Sequence, residues 1–79
     1  MNAIDKPLRW AVVGTSTLAE NFISDLHSST GSEVLAVVSR DRDRARTFAQ
    51  SDNVPTGYDL EALLQDSRID VVYVATFPP

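Results

Sequence analysis

Three small residues in one short stretch are placed to hold a diphosphate. The segment from Arg9 to Ala19 reads Arg-Trp-Ala-Val-Val-Gly-Thr-Ser-Thr-Leu-Ala, with Gly14, Ser16 and Ala19 at the spacing of a modified dinucleotide-binding fingerprint. An apolar run stops at Gly14 and a helical pattern begins soon after, so backbone N–H groups and the positive end of a helix dipole meet at the carboxyl end of a strand. A pyrophosphate can be held there. Gly14 fills the first glycine position and Ala19 the third, where alanine is permitted. Ser16 stands where a second glycine would let the backbone come closest to the phosphates. A second set, Ser39, Arg40 and Arg44, offers a hydroxyl and two guanidinium groups. A guanidinium binds phosphate oxygens bidentately or stacks on an aromatic ring, and lysine does neither as well.

These groups act together only if the chain brings them to one edge of a sheet, and its patterning predicts this. Leu8 to Val13 reads as a first strand, continuously apolar as in a sheet covered on both faces. From Thr17 the residues Leu18, Ala19, Phe22, Ile23 and Leu26 recur at helical spacing, opposite Glu20, Asn21, Ser24 and Asp25. This helix runs out in Ser28, Ser29, Thr30 and Gly31, and His27 in its last turn suits a surface capping role favoured by the helix dipole. Glu33 to Val38 is a second strand that ends at Ser39 and Arg40. Asp41 can cap a helix with Ala45, Phe48 and Ala49 as its buried stripe. There follow a brief strand at Thr56, Gly57 and Tyr58, a short helix from Asp59 with Leu60, Leu63 and Leu64 on one side, and a last strand from Ile69 to Ala75. That last run reads as a strand covered on both faces.

The alternation predicts an α/β fold, a doubly wound parallel sheet of Rossmann-like type, partial, in the strand order 3-2-1-4. The last strand then lies beside the first, and a crevice opens at their carboxyl ends. Gly14, Thr15, Ser16 and Thr17 border it on one side, and Ala75, Thr76 and Phe77 on the other. At the end of the second strand an Asp or Glu would accept hydrogen bonds from the ribose 2′-OH of NAD, whereas an Arg suits the 2′-phosphate of NADP. Ser39 and Arg40 occupy that place, so NADP is expected to be preferred over NAD. Arg44, one helical turn on, can point to the same side, while Arg42 and Arg46 point away. Two other readings of the segment from Arg40 to Arg46 exist. It can be a solvated, mixed-charge helix start, and a basic nucleic-acid patch is disfavoured by the interleaved Asp41 and Asp43.

Composition narrows the classes further. The 79 residues make one domain at most, and a net charge of −4, from 7 basic and 11 acidic side chains, argues against a nucleic-acid partner. The absence of cysteine and the single histidine leave no thiolate chemistry and no His cluster, so no metal is expected. No apolar run approaches the ~20 residues of a membrane span. Residues 1–7 carry Asp5 beside Lys6 and no apolar signal core, so a flexible N-terminal tail, no membrane partner and a cytoplasmic location are expected.

Four segments in this order, Arg-Trp-Ala-Val-Val-Gly-Thr-Ser, Val-Val-Ser-Arg-Asp with Arg44-Ala45 and Phe48-Ala49, Tyr58-Asp59-Leu60-Glu61-Ala62-Leu63-Leu64 and Ile69-Asp70-Val71-Val72-Tyr73-Val74-Ala75-Thr76, resemble the Gfo/Idh/MocA oxidoreductases. The resemblance implies hydride transfer between a nicotinamide cofactor and a sugar, polyol or dihydrodiol. It also implies that Gly14, Ser16, Leu18 and Ala19 form the cofactor turn, that Ser39 and Arg40 read the 2′-phosphate, and that Ala75 and Thr76 wall the nicotinamide riboside. Against that pattern, the Ser16 hydroxyl could bond a phosphate, or the side chain could hold the cofactor further out. The family's catalytic lysine lies in a Glu-Lys-Pro segment on the next strand, and the substrate domain follows it. Residues 8–79 are therefore expected to be the N-terminal part of a dinucleotide-binding domain, ending before the catalytic and substrate-binding regions, and no catalytic residue is assigned. Lys6 precedes the first strand, at the opposite edge of the sheet. The alternative is a non-enzymatic, dinucleotide-responsive interaction module or a nonfunctional fragment. Self-association through the exposed edge of the last strand is a further expectation.

Overall fold

The computed structural model describes residues 6–75, in the order β1 (Leu8–Val13), α1 (Thr17–His27), β2 (Ser32–Val38), α2 (Arg42–Ser51), β3 (Thr56–Tyr58), α3 (Leu60–Leu64) and β4 (Val71–Val74). All pairings are parallel and the sheet order is β3-β2-β1-β4, the doubly wound order predicted from the alternation of strands and helices. Met1 to Asp5, most of the expected tail, lie outside the described residues, as do Thr76 and Phe77.

β1 is apolar from Trp10 to Val13 because it feeds two cores. Val12, with Trp10 beside it, faces Ile23 and Leu26 of α1 and Ala49 of α2. Ala11 and Val13 face the other way, towards Leu63 of α3. An interior parallel strand reads as an unbroken run for this reason. On the α1 side the aromatic rings knit β1, α1 and β4 together: Phe22 stacks on Tyr73 with centroids 3.8 Å apart and meets Trp10 edge-on at 5.5 Å. The Trp10 indole N–H donates to the Ser32 hydroxyl at 3.2 Å, which satisfies its one donor. In β2 one extra residue, Leu35, falls between the partners of Trp10 and Ala11, a bulge that periodicity did not reveal.

Each helix begins on a side-chain cap. Ser16 caps α1, Asp41 caps α2 by accepting from the N–H groups of Asp43 (2.9 Å) and Arg44 (3.2 Å), and Asp59 caps α3 through the N–H of Ala62 (3.0 Å). His27 is exposed in the last turn of α1, as expected of a surface capping residue, and also reaches a second helix. Its Nε2 lies 2.9 Å from the carbonyl oxygen of Asp52, so it ties α1 to the end of α2.

The last strand departs from the sequence reading. It is shorter than Ile69 to Ala75, and it is covered on one face only: Tyr73 packs against the α1 side, but Val72 and Val74 are 47% and 62% exposed. The cause lies in α3, which has five residues and directs only Leu63 into the core, over Ala11, Ala36 and Val38 of β1 and β2. Leu60 is exposed and Leu64 is 79% exposed, so these two do not share the buried side with Leu63.

Asp66 fixes the loop between α3 and β4. Its carboxylate, 7% exposed, accepts from the Tyr58 hydroxyl at 2.8 Å and from Nε and Nη2 of Arg68 at 2.9 and 2.7 Å. The Arg68 guanidinium, followed by the Tyr58 hydroxyl, holds the Asp66 carboxyl well below the ordinary carboxylate range, and burial pushes the Tyr58 phenol upward. A depressed native value means that this carboxylate stabilises the fold above its unfolded pKa of about 4 and loses that contribution as pH falls towards the native value. Asp66→Asn is expected to cost about 2 kcal/mol at neutral pH and to flatten the loss of thermal stability below pH ~4. Melting curves across an acid series check this. An unchanged acid slope would count against the assignment.

Candidate cofactor site

The carboxyl ends of β1 and β2 open into a cleft of about 440 Å³, bordered by Gly14, Thr15, Ser39, Arg40, Asp41 and Arg44. Its floor is held by the sheet itself. The Gly14 N–H donates to the Val38 carbonyl at 2.9 Å, and the Ser39 N–H donates to the Tyr58 carbonyl at 3.1 Å. Gly14 has φ of 128°, a conformation that costs other residues dearly, so its glycine is required by the turn itself. The first-turn N–H groups of Thr17 and Leu18 precede any intrahelical acceptor and carry the positive end of the α1 dipole.

Charge in the cleft is one-sided in its availability. Arg42 is bound to Asp59 at 2.8 Å and Arg46 lies 3.9 Å from Asp43, both lining the opposite side of α2. Hydrogen bonds from the Ala62 N–H and from Arg42 hold the Asp59 carboxyl below its ordinary range. Among the described residues, Arg40 and Arg44 have no ion-pair partner. Asp41 also borders the cleft, but its carboxylate is turned to the α2 N-terminus and accepts two backbone N–H groups there. An anion entering the cleft would meet two unpaired guanidinium groups, the hydroxyl of Ser39 and the N-terminal end of α2. Arg44 also borders an adjoining groove of about 520 Å³ between α1 and α2, lined by Thr15, Glu20, Thr47 and Phe48 among others.

The other sequence candidates are placed differently. Ala19 is fully buried in the core under the turn, so it serves close packing of α1 on the sheet and presents no surface to a ligand. Leu18 is partly exposed and lies outside the cleft. The Ala75 side chain is also fully buried, and the residue faces the turn through its carbonyl oxygen, which accepts from the Ser16 hydroxyl at 3.2 Å. Thr76 and Phe77 lie outside the described residues. Lys6 borders a separate depression with Leu8, Glu33 and Asp70 at the amino ends of the strands. Sequence reading missed the Tyr58 carbonyl, which positions Ser39. It also missed the bond from Ser16 to Ala75, which spans 59 residues and leaves no local signal.

A parallel sheet in this order, with a glycine turn at the carboxyl end of β1 and a helix starting directly after it, defines a Rossmann-type domain of the dinucleotide-binding class. The chain belongs to the Gfo/Idh/MocA family, described as an oxidoreductase family with an NAD-binding Rossmann fold, whose profile matches residues 8–79. A trans-1,2-dihydrobenzene-1,2-diol dehydrogenase of Mus musculus is 41% identical over 75 residues, which is 91% of this chain and 22% of that protein. The myo-inositol dehydrogenase of Lactobacillus casei, solved in complex with NAD(H) and myo-inositol, superimposes with a TM-score of 0.78 at 31% identity, covering 91% of this chain and 22% of that one. A 3-ketoreductase of Actinomadura kijaniata, solved with NADP, gives a TM-score of 0.79 at 30% identity, covering 90% and 23%. The chain thus spans about a fifth of the length of the relatives it matches. Among the described residues no helix is long and apolar enough to cross a membrane.

Proposed function

We propose that residues 8–79 form the N-terminal part of the cofactor-binding domain of a nicotinamide-dependent oxidoreductase, and that the cofactor is NADP in preference to NAD. The observation that carries this reading is the pairing of Arg40 with Arg44 beside Ser39 in one cleft, both guanidinium groups without an ion-pair partner among the described residues. A 2′-phosphate would take charge-assisted bonds from Arg40 and Arg44 and a hydrogen bond from Ser39, while the diphosphate lies on the turn from Gly14 to Thr17 at the α1 N-terminus. The relatives named above act on a dihydrodiol, an inositol and a keto group, so the whole protein is assigned hydride transfer to or from a polyol, sugar or dihydrodiol. The proposed location is the cytoplasm. Calorimetric titration of the chain with each dinucleotide tests the cofactor assignment. NADP is expected to bind roughly ten- to hundredfold more tightly than NAD, and equal affinities would overturn the preference.

Self-association belongs to the same proposal. β4 is hydrogen-bonded to β1 alone among the described residues, and its outer edge lies beside the exposed Val72 and Val74. Such an edge accepts a further strand unless charge or proline blocks it. Produced as these 79 residues, the chain is expected to dimerise or aggregate on the order of tens of micromolar, and Val72→Lys to shift it towards monomer. Sedimentation velocity checks this. A monomer unaffected by the substitution would show that the edge is inert.

A further inference from the structure

Ser16 does two things at once in the turn that follows β1. Its φ of −94° and ψ of 173° are ordinary extended values, so no conformational demand for glycine exists at this position. The hydroxyl accepts from the Ala19 N–H at 3.4 Å, which caps α1, and donates to the Ala75 carbonyl at 3.2 Å. A serine hydroxyl has one proton. With that proton directed at Ala75, the hydroxyl is not free to donate to a phosphate, and the diphosphate is left to the backbone N–H groups of the turn.

Ala75 is clamped from both sides. Its N–H donates to the Val13 carbonyl at 2.8 Å, while its own carbonyl receives the Ser16 hydroxyl. Val13 ends β1 and leads directly into Gly14, so the two bonds close a small ring that joins the phosphate turn to the exit of β4. These are the two walls of the crevice at which ligands of doubly wound sheets bind. The adenosine end of the cleft, at Ser39 and Arg40, lies on the far side of β1, beside β2.

We propose, resting on the cofactor reading above, that Ser16 is a positioning residue: its hydroxyl sets the spacing between the diphosphate turn and the end of β4, and thereby aligns the nicotinamide riboside half of the cofactor. The adenosine half does not depend on it. Two ligands separate this role from simple helix capping. NADP spans both halves, whereas adenosine 2′,5′-bisphosphate carries the 2′-phosphate read by Ser39 and Arg40 and one phosphate for the turn, and lacks the nicotinamide riboside.

Titration of the chain and its Ser16→Ala and Ser16→Thr variants with both ligands is the test. Ser16→Ala is expected to weaken NADP about fivefold and leave adenosine 2′,5′-bisphosphate unchanged, and Ser16→Thr, which keeps the hydroxyl, to restore NADP. The carbonyl ¹³C shift of Ala75 in the free chain should move in Ser16→Ala and return in Ser16→Thr. Equal weakening of both ligands would reduce Ser16 to a helix cap, and unchanged NADP affinity would remove its role altogether. If the unaltered chain binds neither ligand, the cofactor reading falls first and the positioning role with it.

Discussion

Gly57→Ala is expected to destabilise the chain by about 3 kcal/mol. A Cβ at Gly57 would run into the main-chain carbonyl of Ala45 and lie 2.7 Å from the Cα of Arg46. Both obstacles are backbone atoms of α2, so no side-chain rotamer change can make room. Either α2 lifts away from β3 or β3 leaves the sheet. Stabilities of 0.05–0.15 kcal/mol per residue put a chain of this size at about 4–12 kcal/mol in total, of which 3 kcal/mol is a large share. The melting temperature should fall by roughly 12–24 °C. Function would follow stability here, because α2 carries Arg44 and is capped by Asp41 at the rim of the cleft. Urea and thermal melts measure the effect. A shift of a degree or two would mean that α2 can move off β3 at little cost.

Gly57 also shows where sequence reading stops. The three-residue strand around it was legible from the alternation, but the passage of a helix backbone over one glycine is a tertiary fact without a local pattern. The same division runs through the molecule. The strand order was legible because β1 from Trp10 and β2 from Val34 run on as unbroken apolar residues, as a doubly covered parallel strand requires. The identical pattern misled at β4, where Val72 and Val74 are apolar but uncovered, since the length of α3 and not the composition of β4 decides what lies over them. Helical period separated Arg40 and Arg44 from Arg42 and Arg46, and the structure adds what the period could not supply, the pairing of Arg42 with Asp59 seventeen residues on. For Ser16 the sequence left two roles open. The bond to Ala75 is a third, and its partner lies at the other end of the chain.

Replacing Ser39 by aspartate together with Arg40→Ala is expected to reverse the cofactor preference, so that NAD binds more tightly than NADP. The backbone at position 39 is fixed independently of its side chain, because the Ser39 N–H is held by the Tyr58 carbonyl at 3.1 Å. The new carboxylate would therefore project from the same point as the hydroxyl does now. It can still accept the Asp41 N–H that Ser39 Oγ accepts at 3.3 Å, and it stands close to the N-terminus of α2, whose dipole favours an anion. From there it can accept both hydroxyls of an unphosphorylated ribose. The same carboxylate repels a 2′-phosphate, and loss of the Arg40 guanidinium removes one charge-assisted contact of about 1.5–3 kcal/mol. Each change acts in the same direction on the ratio of affinities, and rejection built from like charges is a stronger discriminator than loss of a contact. NADP should weaken by roughly a hundredfold and NAD strengthen by up to about tenfold. Arg44 is retained in the double variant, so NADP binding is reduced and not abolished; adding Arg44→Ala should lower it further without affecting NAD. Titration of both dinucleotides against the double and triple variants decides the matter. If NADP still binds more tightly after both changes, the 2′-phosphate is being read from somewhere other than the end of β2.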